Sequence, residues 1–218
     1  MSRLHESISF LKRFLARPQQ IGAVVPSSAR LARALVQPLS QHDRPVNILE
    51  LGAGTGAVTR HIAPLVGPED RLDICEADPA LAAHLQSNCL DEGPLQDQYR
   101  QGRVRLFGQY LQSVQGLLEY DFIISGLPLN AFHLRDIKSI LDILKRQAKA
   151  DCVLSYFEYI GLRDLKAAVG VGAARKKAQY RSAYLDREIA HHQFARRSVL
   201  WNFPPAFARH LQIGSAAA

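Results

Sequence analysis

The chain contains 218 residues, of which 47% are hydrophobic and 22% are charged. This length suits one α/β core and is short for two, which argues against a protein with several separate domains. Lys and Arg outnumber Asp and Glu by 27 to 20, a formal charge of +7, so the surface should favour anionic partners such as nucleic acid or acidic lipid.

Two further features of the sequence indicate the cellular location of the protein. No apolar run approaches the roughly 20 residues that a bilayer-spanning helix needs, and the N-terminus lacks an apolar region followed by a small-residue cleavage site. The three cysteines are far apart and form no CxxC pair, so we expect buried, reduced thiols. These features favour a soluble or peripheral protein of the cytoplasm.

The N-terminal region, residues 1–44, is expected to be helical. A basic amphipathic helix over residues 1–17 either lies on a membrane surface or packs as a lid on the sheet. Its apolar stripe consists of Leu4, Ile8, Leu11 and Leu15, and Lys12, Arg13 and Arg17 lie elsewhere around it. A second helix starts at Pro26-Ser27-Ser28, buries Leu31, Leu35 and Val36, and ends at Pro38.

Residues 45–218 form the predicted α/β domain. Short apolar runs alternate with helical patterns, which is typical of a parallel sheet with crossover helices. The predicted strands are Val46–Leu51, Leu72–Cys75, Val104–Phe107, Phe122–Ile124 and Cys152–Phe157. A helix is predicted around Leu134–Leu144, and a strand over Ser198–Phe203, closed by Pro204-Pro205.

A glycine-rich loop, Glu50 to Gly56, follows the first strand and precedes a helix predicted over Ala57–Leu65. Glycines at alternate positions suit a ligand lying across a strand end, but Gly52, Gly54 and Gly56 alone also fit a dinucleotide site. Glu50 favours S-adenosylmethionine (SAM), because a carboxylate suits a cationic amino-acid and sulfonium group better than a pyrophosphate. Glu76, at the end of the second strand, can accept both ribose hydroxyls.

Two more residues complete the predicted cofactor site. Gln109 follows the third strand, where its amide oxygen could accept from the adenine amino group; the alternative is a solvated loop residue. Ser125 ends the fourth strand. The predicted cofactor residues are therefore Glu50, Gly52, Gly54, Gly56, Glu76, Gln109 and Ser125.

The acceptor side is expected beyond the fourth and fifth strands. The turn Gly126-Leu127-Pro128 would present backbone carbonyls and Asn130 to an amine, and Glu158 and Tyr159 lie at or just beyond the end of the fifth strand. His133 could accept a proton or simply cap a helix. Asn130, Tyr159, His133 and Glu158 are the candidate catalytic residues, and no metal site is expected, since His191-His192 lacks ligand spacing.

These pieces together resemble the bacterial SAM-dependent phospholipid N-methyltransferases, which methylate phosphatidylethanolamine toward phosphatidylcholine. The matching segments are the first helix, Gly22–Ser28, Glu50–Gly56, Ser125–Pro128 and Asn202–Ala206. The resemblance implies a Rossmann-like class I methyltransferase fold, with a seven-stranded, mostly parallel sheet whose last strand is antiparallel. It also implies cofactor contacts at Glu50, Gly52, Gly54, Glu76 and Gln109 and docking on an anionic membrane through residues 1–17. The chain departs from the family at Phe203, where Leu is usual, and at Gln109, where an acid is common.

The related ribosomal RNA adenine dimethylases share the early Pro-Ser-Ser region but carry Asn-aliphatic-Pro-aromatic after the fourth strand, where the ring stacks on an extruded base. Here the positions are Gly126-Leu127-Pro128-Leu129, so the amide and the ring are missing. We therefore expect a phospholipid substrate, no nucleic-acid partner and no obligate protein partner. An rRNA adenine methyltransferase and a non-catalytic SAM-binding protein remain the alternatives.

Overall fold

The computed structural model describes residues 28–129, 132–161, 173–202 and 204–214. The predicted membrane helix at residues 1–17 and the candidate residue Asn130 lie outside these ranges. Within these ranges the structure has seven strands, β1 (Asn47–Leu51), β2 (Arg71–Cys75), β3 (Val104–Phe107), β4 (Tyr120–Ser125), β5 (Ala148–Tyr159), β6 (Gln193–Val199) and β7 (Ala206–Gln212). The described α-helices are α1 (Ala29–Val36), α2 (Thr59–Ile62), α3 (Pro79–Leu85), α4 (Gln96–Arg100), α5 (Leu134–Arg146) and α6 (Ala173–His192).

All seven strands form one sheet in the order β3-β2-β1-β4-β5-β7-β6. Strands β1 to β5 pair in parallel, whereas β7 runs antiparallel to both β5 and β6. The prediction of a mostly parallel seven-stranded sheet with an antiparallel last strand is therefore confirmed. Among the described helices, none is both long enough and apolar enough to cross a bilayer.

Helices cover both faces of the sheet and enclose two apolar clusters. One cluster joins α1 to the sheet through Leu31 and Leu35, which are fully buried together with Ile48 of β1. The other lies under α5, where Ile137 and Leu141 pack on the opposite face. Because α1 belongs to the first cluster, part of the region at residues 1–44 is integrated into the core. The division at residue 44 stays a prediction.

The second helix begins as predicted. Ser28 precedes α1, and its hydroxyl accepts a hydrogen bond from the Leu31 N–H at 3.2 Å, which satisfies a backbone donor of the first turn. The third predicted helix, Ala57–Leu65, is shorter in the structure. Only Thr59–Ile62 is α-helical, and a 3₁₀ turn over Ala63–Leu65 follows, because Pro64 has no N–H to continue the α-helix.

The predicted strand Ser198–Phe203 is confirmed only at Ser198 and Val199, and it is wrong at residues 200–202. Strand β6 ends at Val199, and Leu200, Trp201 and Asn202 form a turn before β7. The two prolines therefore separate two strands instead of closing one. Leu200 and Trp201 gave the segment the apolar pattern of a strand, yet both side chains are exposed.

A buried carboxylate links three strands. Asp73 of β2 accepts a hydrogen bond from the Tyr120 hydroxyl of β4 at 2.6 Å, and from Nε and Nη2 of Arg105 of β3 at 2.7 and 2.6 Å. Asp73 is 1% exposed. Burial and the bond to Asp73 raise the pKa of Tyr120, so its hydroxyl stays protonated and donates. The carboxylate of Asp73 therefore accepts three hydrogen bonds within this network.

We expect Asp73→Ala to lower the free energy of unfolding by about 3 kcal/mol, because it leaves a buried hydroxyl and a partly buried guanidinium without their partner. Tyr120→Phe should cost only about 1–2 kcal/mol, since Arg105 still neutralises Asp73. Urea unfolding followed by circular dichroism measures both. Asp43→Ala, at an exposed aspartate, is the control. Equal losses from the two core variants would show that the carboxylate does not organise the network.

Candidate functional site

The glycine loop connects β1 to α2 at the carboxyl edge of the sheet. Gly52, Gly54 and Gly56 have φ angles of 73°, 58° and 81°, in the left-handed region that favours glycine. The Gly52 N–H donates to the carbonyl of Cys75 at 2.8 Å, and the Gly56 N–H donates to the carbonyl of Ala53 at 3.0 Å. The loop is thus fixed to the end of β2 and folded back on itself.

The three glycines have different surroundings. A Cβ at Gly52 would lie 2.3 Å from Leu127 Cδ2, and a Cβ at Gly56 would lie 2.8 Å from Leu85 Cδ1. A Cβ at Gly54 would meet nothing within 4 Å. Gly52 and Gly56 therefore serve close packing within the protein, whereas Gly54 borders open space in which a ligand can lie against the backbone.

Glu50 is a fully buried carboxyl group with an unused acceptor. Its Oε2 accepts a hydrogen bond from the Thr59 hydroxyl at 2.7 Å, and its Oε1 has no partner among the described residues. Burial raises the pKa of Glu50 to about 8, the Thr59 bond opposes this rise, and the charge of Glu76 adds to it. A buried acceptor without a partner fits a donor or a cation supplied by a ligand.

Glu76 follows β2 and holds the glycine loop. Its Oε2 accepts from the Gly54 N–H and its Oε1 from the Asp78 N–H, both at 2.8 Å. Each carboxylate oxygen can accept a second hydrogen bond, so the predicted contact with ribose hydroxyls is compatible with this position. The contact itself stays a prediction.

The remaining cofactor candidates lie at the ends of β3 and β4. Ser125 is buried beside the end of β1, where it pairs with Leu51, and its Oγ accepts from the Leu127 N–H at 3.2 Å. Gln109 is exposed, and its Nε2 donates to the Ser113 carbonyl at 3.4 Å. The structure thus brings Glu50, Gly54, Glu76 and Ser125 to three adjacent strand ends, with Gln109 one strand further along.

The turn after β4 presses against the glycine loop. The Gly126 N–H donates to the Leu51 carbonyl at 2.8 Å, and a Cβ at Gly126 would lie 2.4 Å from the Gly52 carbonyl oxygen. Any side chain here would push the two loops apart. Asn130, predicted to follow this turn as an acceptor-site residue, lies outside the described residues.

Glu158 and Tyr159 are the last two residues of β5, which agrees with their expected position at the end of this strand. The last residue of β5 that pairs with β4 is Ser155, and the strand continues to Tyr159 by pairing with β7. Glu158 Oε2 accepts from Arg209 Nε at 2.8 Å in a buried ion pair, which favours a structural role over that of a base. Burial raises the pKa of Tyr159 to about 12, so its hydroxyl is neutral at physiological pH.

The surroundings of His133 differ from those of the other candidate residues. It is the residue before α5, and its backbone carbonyl accepts from the N–H groups of Asp136 and Ile137 at 3.0 Å. Its side chain is exposed and makes no capping bond. A role in proton transfer stays a prediction.

Two residues at the site were missed by sequence reasoning. Thr59 binds Glu50, and Arg209 neutralises Glu158. The first could have been inferred from a hydroxyl early in the helix after the glycine loop. The second depends on the register between β5 and β7, which no local pattern reveals. Among the described residues, no cluster of His, Cys, Asp or Glu could hold a metal ion.

We expect Gly54→Ala to abolish the thermal stabilisation by SAM, because the added Cβ enters the space left for the cofactor. The substitution also introduces backbone strain of about 1–2 kcal/mol at positive φ. Gly102→Ala is the matched control: Gly102 also has positive φ and open surroundings but follows α4. Differential scanning fluorimetry with and without SAM measures both. An equal SAM-dependent shift in the two variants would place the cofactor elsewhere.

Glu50 should make SAM binding depend on pH. A cation near the carboxylate favours its ionised form, so binding releases a proton below pH 8, and the affinity should rise by up to about tenfold per pH unit toward that value. Glu50→Gln should remove this dependence, whereas Glu92→Gln, at an exposed position, should keep it. Isothermal titration calorimetry in buffers of different ionisation enthalpy measures the proton release.

The free protein should respond to pH in the opposite direction. Native Glu50 holds its proton up to about pH 8, while the unfolded chain loses it near 4.5. The native state therefore binds more protons between these pH values, and the free energy of unfolding falls as the pH rises through this window.

For the SAM-affinity prediction, an affinity of the wild-type protein that does not change with pH would rule out Glu50 as the contact of the cationic group.

Several solved structures that align with this chain are named as methyltransferases. The O-methyltransferase from Bacillus cereus in complex with SAH aligns with a TM-score of 0.61 at 17% identity, over 97% of this chain and 91% of that one. The O-methyltransferase TomG from Streptomyces achromogenes in complex with SAM gives 0.60 at 14% identity, over 95% and 89%. At this identity the likeness concerns the fold alone, and it confirms the predicted Rossmann-like methyltransferase architecture.

A sequence relative narrows the family. No family model matches the chain, but the ornithine lipid N-methyltransferase of Singulisphaera acidiphila is 32% identical over 137 residues, which is 63% of this chain and 69% of that protein. This agrees with the family resemblance inferred from the sequence motifs. By fold and by sequence, the chain belongs to the bacterial lipid N-methyltransferases.

Proposed function

We propose that the protein transfers a methyl group from SAM to the headgroup amine of a membrane lipid. Phosphatidylethanolamine is the acceptor that the sequence motifs favour. The second candidate is ornithine lipid, because the sequence relative is named for that substrate. The observation that carries the proposal is the open space beside Gly54, bordered by the buried acids Glu50 and Glu76.

The described residues fit SAM. The cofactor, when bound, supplies an electrophilic methyl group on a sulfonium. Glu50 offers its unused Oε1 to a cationic donor, Glu76 offers acceptor capacity at the end of β2, and Gly54 leaves the loop backbone accessible. Both neighbours cited above were solved with SAM or its demethylated product, which supports SAM as the donor.

The acceptor amine must lose a proton before it can attack. Its pKa in water is near that of lysine, about 10. Tyr159 is neutral, since burial raises its pKa to about 12, and the carboxylate of Glu158 is held by Arg209. Tyr159 is therefore suited to orienting the amine by hydrogen bonding, whereas the ion pair holds Glu158 within the sheet, and the proton leaves to solvent. The carbonyls of the turn at Gly126 would serve the same purpose.

A nucleic-acid substrate fits the structure less well. In a base methyltransferase an aromatic ring after the fourth strand stacks on the extruded base. The corresponding residue here is Leu129, which is 1% exposed and packed into the cluster under α5. This residue can offer no stacking face to a base. A non-catalytic SAM-binding role is the remaining alternative, and turnover decides it.

The proposal includes a peripheral position on the cytoplasmic face of the membrane. The amphipathic pattern of residues 1–17 and the excess of seven positive charges support it. A bilayer with anionic lipids attracts each nearby basic residue by about 1 kcal/mol. The lipid substrate would then be reached without leaving the membrane.

The purified protein with labelled SAM should methylate phosphatidylethanolamine or ornithine lipid in mixed vesicles and leave RNA unlabelled. Its rate should rise with pH on the alkaline side, because more of the amine is neutral there. Mass spectrometry of the extracted lipids distinguishes the two acceptors. Label in RNA alone would support the base methyltransferase, and SAM binding without any methylated lipid would support the non-catalytic alternative.

A matched pair of variants tests the acceptor site within the same assay. Tyr159→Phe should lower turnover roughly ten- to a hundredfold while leaving SAM affinity nearly unchanged, since the hydroxyl is proposed to orient the acceptor and not to hold the cofactor. Tyr99→Phe, at a partly buried tyrosine of α4, should leave turnover unchanged. Equal activity of the wild type and the Tyr159 variant would remove this residue from the acceptor site.

A further inference from the structure

The turn between β6 and β7 exposes two large apolar side chains. Leu200 is 66% exposed and Trp201 is 83% exposed. Ile160, which follows β5, is 36% exposed and lies nearby, since its N–H donates to the Pro205 carbonyl at 2.9 Å. Exposed apolar groups gathered in one place mark a contact surface more often than isolated ones do.

Arginines surround this turn. An open groove of about 310 Å³ is lined by Arg30 and Arg33 of α1, Arg197 of β6, and Leu200 and Trp201. None of its lining residues is acidic. The Arg30 guanidinium lies 5.9 Å from the centre of the Trp201 ring. The groove therefore combines three positive charges with an apolar rim.

The turn is held in place by hydrogen bonds. Asn202 is 4% exposed; its Oδ1 accepts from the Ser28 N–H at 3.1 Å and its Nδ2 donates to the Pro204 carbonyl at 2.7 Å. The first of these bonds ties the turn to the start of α1. Leu200 and Trp201 are thus presented on a fixed support together with Arg30 and Arg33.

The position of the turn in the sheet is also informative. Val199, the last residue of β6, pairs with Ala206, the first of β7, and Ala206 pairs with Tyr159 at the carboxyl end of β5. The turn therefore lies at the same edge of the sheet as the glycine loop. Strand β6 is four strands from β1, a distance of roughly 19 Å.

We infer that Leu200, Trp201, Arg30, Arg33 and Arg197, together called the turn surface, dock on a bilayer containing anionic phospholipids. Arginines suit lipid phosphates, Trp is favoured at the boundary between headgroups and acyl chains, and Leu suits the acyl region. A nucleic acid would use the arginines and the Trp ring but not the leucine. The choice of a lipid partner rests on the proposed function, and docking here turns the edge with the glycine loop toward the lipid.

The chain contains one tryptophan, so its emission reports on this surface directly. We expect the full chain, without SAM, to bind vesicles of phosphatidylglycerol and phosphatidylcholine with a shift of Trp201 emission to shorter wavelength. Brominated acyl chains in the same vesicles should quench the emission. Vesicles of phosphatidylcholine alone should bind more weakly, because the arginines then lack their anionic partners.

Two substitutions test the parts of the surface while keeping the fluorophore. Arg33→Glu should weaken vesicle binding about fivefold or more, whereas Arg71→Glu makes the same charge change at an exposed residue of the opposite sheet edge and should have a smaller effect. Leu200→Asp should reduce both binding and the emission shift. Tyr180→Asp, at a residue 70% exposed on α6, is its control.

The inference is overturned if the protein sediments with vesicles while Trp201 emission stays unchanged, because another segment such as residues 1–17 then makes the contact alone. An emission change with RNA but not with vesicles would overturn it in favour of a nucleic acid. The assay involves no turnover, so a failure of lipid methylation and a failure of docking are separate results. Lipid methylation without entry of Trp201 into the bilayer would remove this inference and leave the proposed function intact.

Discussion

The arrangement of the site depends on the close approach of two backbones at the carboxyl ends of β1 and β4. The Gly126 N–H binds the Leu51 carbonyl, and a Cβ at Gly126 would reach the Gly52 oxygen. With no side chain between them, the glycine loop and the turn after β4 form one continuous backbone surface. The three loop glycines have positive φ angles, and a Cβ on Gly54 would meet no protein atom within 4 Å. Glycine is therefore favoured by the backbone conformation at Gly52, Gly54 and Gly56, and by close packing at Gly52 and Gly56 only.

Two neighbouring acids, Glu50 and Glu76, lie beside these backbone segments, although the chain carries a net positive charge. Glu50 and Glu76 repel each other, and burial adds to the energetic cost of ionising Glu50. The two acids are stabilised differently: Glu76 accepts hydrogen bonds from two backbone N–H groups with its two oxygens, whereas Glu50 is bonded by Thr59 and its Oε1 has no partner among the described residues. The less satisfied acid is the one that a cationic ligand would relieve. Strand β6, which carries Arg197 of the groove, lies four strands from β1 in the sheet, so this arginine is separated in space from the two acids.

Much of the fold follows from local patterns, and the failures have a common cause. Apolar runs between glycines and prolines located β1 to β4 within one or two residues, and the strand followed by glycines located Glu50 and Gly54 correctly at a sheet edge. The pattern ended the fifth strand at Phe157, whereas β5 continues to Tyr159 because its last residues pair with β7, about 50 residues later in the chain. Leu200 and Trp201 have the apolar pattern of a strand. The turn that they form instead is held by a hydrogen bond from Ser28 to Asn202, which joins residues 174 positions apart. Pairings at such separation leave no mark in the local spacing of apolar residues.

The place of β7 also has a consequence for the order in which the protein can form. Among the described residues it is the last of the seven strands in the chain, yet it lies between β5 and β6, and within this part of the chain β6 has no other neighbour in the sheet. During synthesis the first five strands can pair as they emerge, while β6 must wait for β7. Until then Glu158 lacks Arg209, and one side of β5 has no strand to pair with. A chain interrupted before Ala206 would therefore keep an open sheet edge, which is a template for aggregation with other chains.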